Sequence, residues 1–476
     1  METSSSPPEG LIASLSASIG STEAALRLLI TLLAGYPLAL IHRNFIHGKP
    51  ANLQHLYFII SGLSFGFFNY GLESLHSAFT VVFSYLTLVI FRGTATCVAI
   101  SFVFNMAYLL IGYVYSSTND YDINWTLPQC VLVLRLIGLS FDLYDGNQPE
   151  ESLGAQNKRV ALKTRPTFLE YGGHMFFPTC YMIGPQFNMR RYQSFVAGEF
   201  SEGDKSKPPN SIAAGTRRLF LGIGYVALFH VVNIYVNDDY LLSDDYASAP
   251  FWKRALLLGV WGRIVLYKYI SCWLLTEGAC IMFGLTYNGK DAQGNAKWDG
   301  VSNVDLAKFE NSTEFNHYIQ SFNTNTNNWV AQYIYKRMKF MNNRYVSQLS
   351  VLLFLAVWHG FHTGYYVSFF FEFIIMFMER DIHSIFAKNP HLGKYFEPLP
   401  VRVLLYILMR LYTLVFMGWC LAPFSLFSFD RYWPVFRAVH YMGIWFFVPW
   451  GFLYGPLLRM AVKATRPKVV EHAHTE

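Results

Sequence analysis

The chain has 476 residues, of which 53% are hydrophobic, 18% aromatic and 14% charged. A soluble domain carries about 25% charged residues, so this sequence has too few to clothe a water-facing surface, and 42 Phe, 31 Tyr and 11 Trp exclude disorder and low complexity. The net charge of +6 lies mostly in loops and suits an anionic membrane face rather than nucleic acid; six cysteines without a CxxC or CxxxxC pair indicate neither a metal site nor a disulfide framework.

Residues 1–23 form a polar, Ser-rich tail with Glu2, Glu9 and Glu23 and no basic residue. This is unlike a secretory signal peptide, so the first span is expected to direct insertion. A bilayer core of ~30 Å takes about 20 apolar residues of helix. Runs that meet this, some of them short, cover 24–41, 56–71, 75–91, 96–115, 128–143, 218–236, 255–284, 346–378, 403–427 and 434–457. The run 255–284 is long enough to be two pieces. The expectation is an all-α polytopic bundle of about 9–11 spans, treated as one domain over 1–476.

Positive-inside logic places three segments in the cytosol: 158–165, 336–344 and a basic tail from 459, which contains Lys463, Arg466 and Lys468. The loop 237–250, with Asp238, Asp239, Asp244 and Asp245, is assigned to the lumen. Sequons stand at Asn124 and Asn311. No internal repeat or matched pair of broken helices appears, which argues against an inverted-repeat transporter.

The run 346–378 carries the informative polar groups. Its 33 residues make ~50 Å of helix, more than a perpendicular crossing needs, and Gly360 and Gly364 offer places to bend. His359 stands about 20 Å in from Val346, and His362 follows one turn later on roughly the same face. An ionisable ring at that depth is either a functional group or a histidine bonded to neighbouring helices. Desolvation disfavours its charged form, so it can serve as a general base.

Upstream, Asn323, Asn325, Asn327 and Asn328 crowd ahead of Trp329, a pattern that turn and cap chemistry explains by itself. Residues 329–341 read as a basic amphipathic helix on the membrane surface. It offers Trp329, Tyr333 and Met338 to lipid, and Gln332, Lys336, Arg337 and Lys339 to water or phosphate. Anionic lipid headgroups and the phosphates of a nucleotide-bearing substrate fit those cations equally well.

Trp358-His359-Gly360, Gly364-Tyr365 and Phe369 resemble the WHGxxxGYxxxF motif of the membrane-bound O-acyltransferase family, in the branch that acylates lysophospholipids. Asn323, 36 residues before His359, resembles that family's second catalytic position. Three further blocks agree in order. The first holds Gln129, Arg135, Asp142, Asp145 and Gly146; the second runs from Leu169-Glu170-Tyr171 to Gly184-Pro185-Gln186. The third contains Arg263, Tyr267, Tyr269, Trp273 and Glu277-Gly278-Ala279. The four blocks cover residues 129–369, about half the chain. Thr363 stands where many relatives have Pro, and Arg135 where Lys is usual.

The resemblance implies a bundle with re-entrant and amphipathic helices around an intramembrane reaction chamber. There a polyunsaturated acyl group would pass from acyl-CoA, as co-substrate, to the sn-2 hydroxyl of lysophosphatidylcholine, and possible further acceptors are lysophosphatidylethanolamine and lysophosphatidylserine. It implies His359 and Asn323 as catalytic residues and no other cofactor. Trp358 and Tyr365 would shape the chamber, and Lys336, Arg337 and Lys339 would meet CoA phosphates. Direct transfer is expected, because no Ser or Cys stands at a motif position beside His359. Arg263, Lys268 and Glu277 are expected in intramembrane ion pairs. Endoplasmic reticulum membrane is the location implied by the family, although the ending KVVEHAHTE lacks a dilysine signal. A protein- or sterol-acylating member of the family and a non-enzymatic transporter are the competing readings; oligomeric state is not legible.

Overall fold

The computed structural model describes residues 10–118, 122–201 and 203–465, with the backbone alone of Lys339. The long helices are α1 (Glu23–Ile41), α2 (Ala51–Tyr70), α3 (Leu75–Phe91), α4 (Ala95–Ser116), α5 (Thr126–Gly146) and α6 (Ile212–Asn233). They continue with α7 (Phe251–Phe283), α8 (Thr324–Tyr333), α9 (Arg344–His359), α10 (Thr363–Ala387) and α11 (Leu399–Leu426). Among the described residues no strand forms, and seven helical stretches are long and apolar enough to cross a membrane. One of these, Ala51–Phe91, holds both α2 and α3. The protein is an all-α polytopic membrane bundle.

The start of the chain follows its sequence closely, whereas two expected spans do not form. The run 346–378 is divided between α9 and α10, because Gly360 takes φ 127°, a conformation that L side chains rarely adopt. The run 434–457 is not one helix but Phe429–Ala438, Met442–Phe447 and Tyr454–Ala464. His440 (φ 52°) and Tyr441 (φ 54°) break it at one joint, and Pro449 sits at the next. Conversely, the run 255–284 is not two pieces but lies, up to Phe283, in one unbroken helix, α7.

The described residues group into two compact units. The first comprises those within Met1–Val231, Leu266–Asp305 and Ser321–Phe361. Its core is aromatic: Phe58 and Phe177 lie 4.8 Å apart between ring centroids, with Tyr171, Tyr192, Phe195 and Phe283 buried around them. Through this unit runs α5, 78% of whose apolar stretch is buried, against 11% for the stretch that contains α6.

Helix α5 can be so buried because its long polar side chains find partners. Gln129 bonds Ser77 and Thr80. Arg135 bonds Gln186 Oε1 and the carbonyls of His174, Met175, Cys180 and Pro185. Asp142 accepts from Tyr333, and Asp145 from Asn157 and Arg337. Leaving such groups unpaired would cost about 1–3 kcal/mol each, so this motif block specifies a scaffold.

The second unit comprises the described residues of Val232–Val265, Leu306–Gln320 and His362–Glu476. Glycines let α7 and α11 cross closely here, since a Cβ on Gly262 would lie 2.3 Å from Gly418 Cα. Trp419 stacks on Phe436 at 4.8 Å. Glu379 accepts the Phe315 backbone N–H (2.9 Å) and the Tyr412 hydroxyl (3.0 Å).

Candidate active site

Helix α9 begins on a working cap. Asn343 Oδ1 accepts the backbone N–H groups of Tyr345 (3.0 Å) and Val346 (3.2 Å). The helix ends at His359, where the Gly360 N–H turns back to Ala356 O (3.2 Å) and Val357 O (3.1 Å). His359 is thus the last residue of a helix and not the middle of one. His362 stands at the N-cap of α10 in the other unit, so the expectation that the two histidines share a helix face does not hold.

The hydrogen bonds of this end fix its chemistry. The Trp358 indole N–H donates to Cys130 O (2.9 Å), and the Tyr113 hydroxyl donates to Trp358 O (3.1 Å). His359 Nδ1 lies 2.7 Å from Leu355 O. A carbonyl oxygen only accepts, so Nδ1 carries the proton and Nε2 is the ring's acceptor. That tautomer is the one a base acting through Nε2 requires.

Asn323 precedes α8 at the N-cap position with φ 48°, and its side chain makes no cap bond. Its Oδ1 instead accepts from Asn303 Nδ2 at 3.2 Å. The turn is held by its neighbours: Thr324 Oγ1 donates to Ser302 O (2.8 Å), and Asn325 Nδ2 to Val301 O (3.1 Å) and Ser302 O (3.0 Å). The Asn-rich run does supply turn chemistry, but Asn323 departs from it. A non-glycine residue held at positive φ costs about 1–3 kcal/mol and tends to mark functional sites.

Helix α5 supports both candidates. The Trp329 indole N–H donates to Leu134 O (2.8 Å), one turn beyond the Cys130 carbonyl that holds Trp358. The Trp329 ring also stacks on Phe354 of α9, with centroids 5.7 Å apart and planes at 20°. A Cβ on Gly138 would lie 2.9 Å from Trp329 Nε1, so glycine there admits the indole. Trp358, next to His359, and Trp329, in the helix that Asn323 begins, therefore bond carbonyls on consecutive turns of one buried helix.

The amphipathic surface helix expected over 329–341 is not formed. Helix α8 ends at Tyr333, and Tyr335–Met341 is a 3-10 helix. Trp329, Gln332 and Tyr333 are buried; the Tyr333 hydroxyl bonds Asp142 at 2.6 Å. The aromatic face meets α5 rather than lipid because α5 supplies the acceptors those polar tips need.

Arg337 is drawn into the same scaffold, 2.6 Å from Asp145 and over the Phe141 ring at 4.9 Å. Lys336 is exposed and donates to Gln156 (2.6 Å). The side chain of Lys339 and the tail residues Arg466 and Lys468 lie outside the described residues. Tyr365 belongs to the second unit, where it packs on Phe424 (5.0 Å) and Phe427 (5.8 Å). Beside it, a Cβ on Gly364 would lie 1.9 Å from Pro423 O, so the Gly-Tyr half of the histidine motif serves helix packing.

Three residues extend the site beyond the sequence expectation. Glu277 pairs with Arg218 of α6, not with Arg263 or Lys268, and Arg263 lies instead over the Phe309 ring at 4.6 Å. Glu277 Oε1 also accepts the backbone N–H groups of Asn303 (2.6 Å) and Val304 (3.2 Å). Asn303 then touches Asn323. The legible signal was a charge at the head of an apolar run, Arg218, and a glutamate inside another; Asn303 carried none.

The first unit thus holds a histidine at the end of one helix, its Nδ1 tied to Leu355 O, and an asparagine that begins another without capping it. The family model of the membrane-bound O-acyltransferases matches residues 110–422, more than half the chain, and the protein belongs to that family of acyltransferases. Among curated proteins it is 44% identical over 453 residues to Lysophospholipid acyltransferase 5 of Drosophila melanogaster, covering 94% of this chain and 90% of the relative. To the Homo sapiens protein of the same name it is 41% identical, covering 91% and 89%. To the one from Caenorhabditis elegans it is 34% identical, covering 97% and 98%.

Proposed function

We propose that this protein is a lysophospholipid O-acyltransferase. It transfers an acyl group, polyunsaturated by preference, from acyl-CoA to the sn-2 hydroxyl of lysophosphatidylcholine, and serves phospholipid remodelling in the endoplasmic reticulum membrane. The names of its full-length relatives support the substrate class. The observation that carries the chemistry is the Nδ1–H of His359 tied to Leu355 O, which leaves Nε2 as the acceptor.

In this reading Nε2 takes the proton of the lysophospholipid hydroxyl. The oxygen attacks the thioester carbonyl, the C–O bond forms and the C–S bond breaks. CoA leaves as the thiol, with the proton returned from the imidazolium. Asn323 hydrogen-bonds the carbonyl oxygen or the departing sulfur as negative charge gathers. Lys336, Arg337 and Lys339 are proposed to meet CoA phosphates, with Lys336 the exposed member among the described side chains. Trp358 positions His359. Keeping both acyl chains in an apolar site excludes the water that would hydrolyse the thioester.

The test is transfer of labelled arachidonoyl from its CoA ester to lysophosphatidylcholine in membranes carrying wild type or His359→Ala. Loss of the base is expected to lower the rate about 10²–10⁴-fold at equal protein level. Full activity in the variant removes His359 as the base. No wild-type activity with lysophosphatidylcholine, lysophosphatidylethanolamine or lysophosphatidylserine overturns the lipid-acceptor reading.

A further inference from the structure

We infer that Asn303 is a positioning residue that fixes which end of the Asn323 amide faces the reacting thioester. The inference rests on the reading of Asn323 as a group acting on that thioester. It follows from a chain of three residues, Asn325, Asn303 and Asn323, in which each bonding atom has only one possible role. The backbone N–H of Asn325 can only donate, and it lies 3.1 Å from the Asn303 side chain; the atom facing it is therefore Oδ1. The other end of that amide, Nδ2, faces Asn323 at 3.2 Å. An amide nitrogen only donates, so the Asn323 atom it meets is Oδ1. The polar atom that remains to Asn323 is Nδ2, a donor.

This order determines what Asn323 can do. A donor suits a carbonyl oxygen or a sulfur that gains negative charge. It does not suit the task of accepting a proton from His359, and the Nδ1 proton of His359 is in any case given to Leu355 O.

The frame behind Asn303 is built to resist turning. Asn303 is 2% exposed, and its carbonyl accepts the Thr324 N–H at 3.1 Å. Its own N–H and that of Val304 are both held by Glu277 Oε1, while Glu277 Oε2 is held by Arg218 Nε at 2.8 Å. A buried charge pair thus reaches Asn323 through one backbone peptide and one side-chain amide. This explains why a glutamate stands in an apolar helix far along the chain from the residue it serves.

The test is a double-mutant cycle on the full-length enzyme. Asn303→Asp keeps the shape and the acceptor for Asn325 N–H but offers Asn323 an acceptor in place of a donor, so the Asn323 amide turns and presents its oxygen to the substrate. The expected result is a fall in kcat of about 10²-fold, the size of a lost oxyanion donor, with KM for acyl-CoA unchanged. In an Asn323→Gly background Asn303→Asp is expected to change kcat by less than about twofold, because a residue that acts through another has no effect once that other is gone.

Equal losses from Asn303→Asp in both backgrounds, or no loss in the wild-type background, would overturn the inference. Should Asn303→Asp not accumulate, Asn303→Ala tests the same point: it removes the donor, and a loss of about tenfold that vanishes in the Asn323→Gly background is expected. If Asn323→Gly alone keeps full kcat, the catalytic reading of Asn323 fails and the positioning role falls with it. If Asn323→Gly is inactive while Asn303→Asp is active, only the positioning role fails.

Discussion

Two asparagines begin consecutive long helices in the first unit, and they behave oppositely. Asn343, with φ −130°, gives its Oδ1 to two backbone N–H groups of α9, as an N-cap residue does. The side chain of Asn323, with φ 48°, makes no cap bond to α8 and turns its Oδ1 to Asn303. The second arrangement forgoes about 0.5–2 kcal/mol of capping and adds backbone strain. A fold keeps such a deficit where the side chain is needed for something other than the helix it starts. Asn343 is spent on structure, whereas Asn323 is withheld from it.

The sharpest way to break this contrast is Asn323→Gly. Glycine accepts positive φ without strain and costs only a few tenths of a kcal/mol at an N-cap; the buried Asn303 amide loses its acceptor, at about 1–3 kcal/mol, so the unfolding temperature is expected to drop by only a few degrees. Acyl transfer is expected to fall about 10²–10³-fold, the range for a lost oxyanion donor. Paired measurements of kcat and thermal unfolding on detergent-purified enzyme decide it. A loss of activity that merely tracks a loss of fold would make the two asparagines equivalent.

A smaller effect is expected at Gly138→Ala. The new methyl would stand 2.9 Å from Trp329 Nε1 and push the indole off Leu134 O, displacing α8 and Asn323 with it. A shift near 1 Å at a reacting group can cost up to ~10²-fold, and a loss of about tenfold in kcat is expected. The contrast is sharpened if the fall is specific to turnover, with acyl-CoA binding retained. An unchanged kcat would mean that α5 does not set the position of Asn323.

Much of this was legible before any geometry. The runs 24–41, 75–91 and 96–115 lie within a residue or so of Glu23–Ile41, Leu75–Phe91 and Ala95–Ser116, because continuous apolar helices announce themselves. The break after His359 was only half legible. Gly360 and Gly364 marked a place to bend, but nothing in composition told that Gly360 ends a helix while Gly364 lets one approach Pro423.

The surface-helix reading of 329–341 failed for a physical reason. An aromatic face looks the same whether it meets lipid or a buried helix, and the buried helix is distinguished only by Asp142 and the carbonyls it offers to Trp329 and Tyr333. Glu277 stood out as a charge in an apolar run, yet its partner Arg218 lies on another helix and is paired only by folding. Asn303 sits in a polar loop like any other asparagine there; its role exists only because α8 returns beside it.

The least effect is expected where the contrast assigns a side chain to structure alone. Asn343→Ala removes the two bonds that start α9, and cap losses of this kind cost about 1 kcal/mol. The far end of that helix is secured separately, by Trp358 on Cys130 O and by Tyr113 on Trp358 O, so fraying at the start need not move His359. The variant is expected to unfold a few degrees earlier while kcat per folded molecule stays within about twofold of wild type. A large fall in kcat at unchanged stability would show that the start of α9 is coupled to its His359 end, and Asn343 would then belong with Asn323 instead of opposite it.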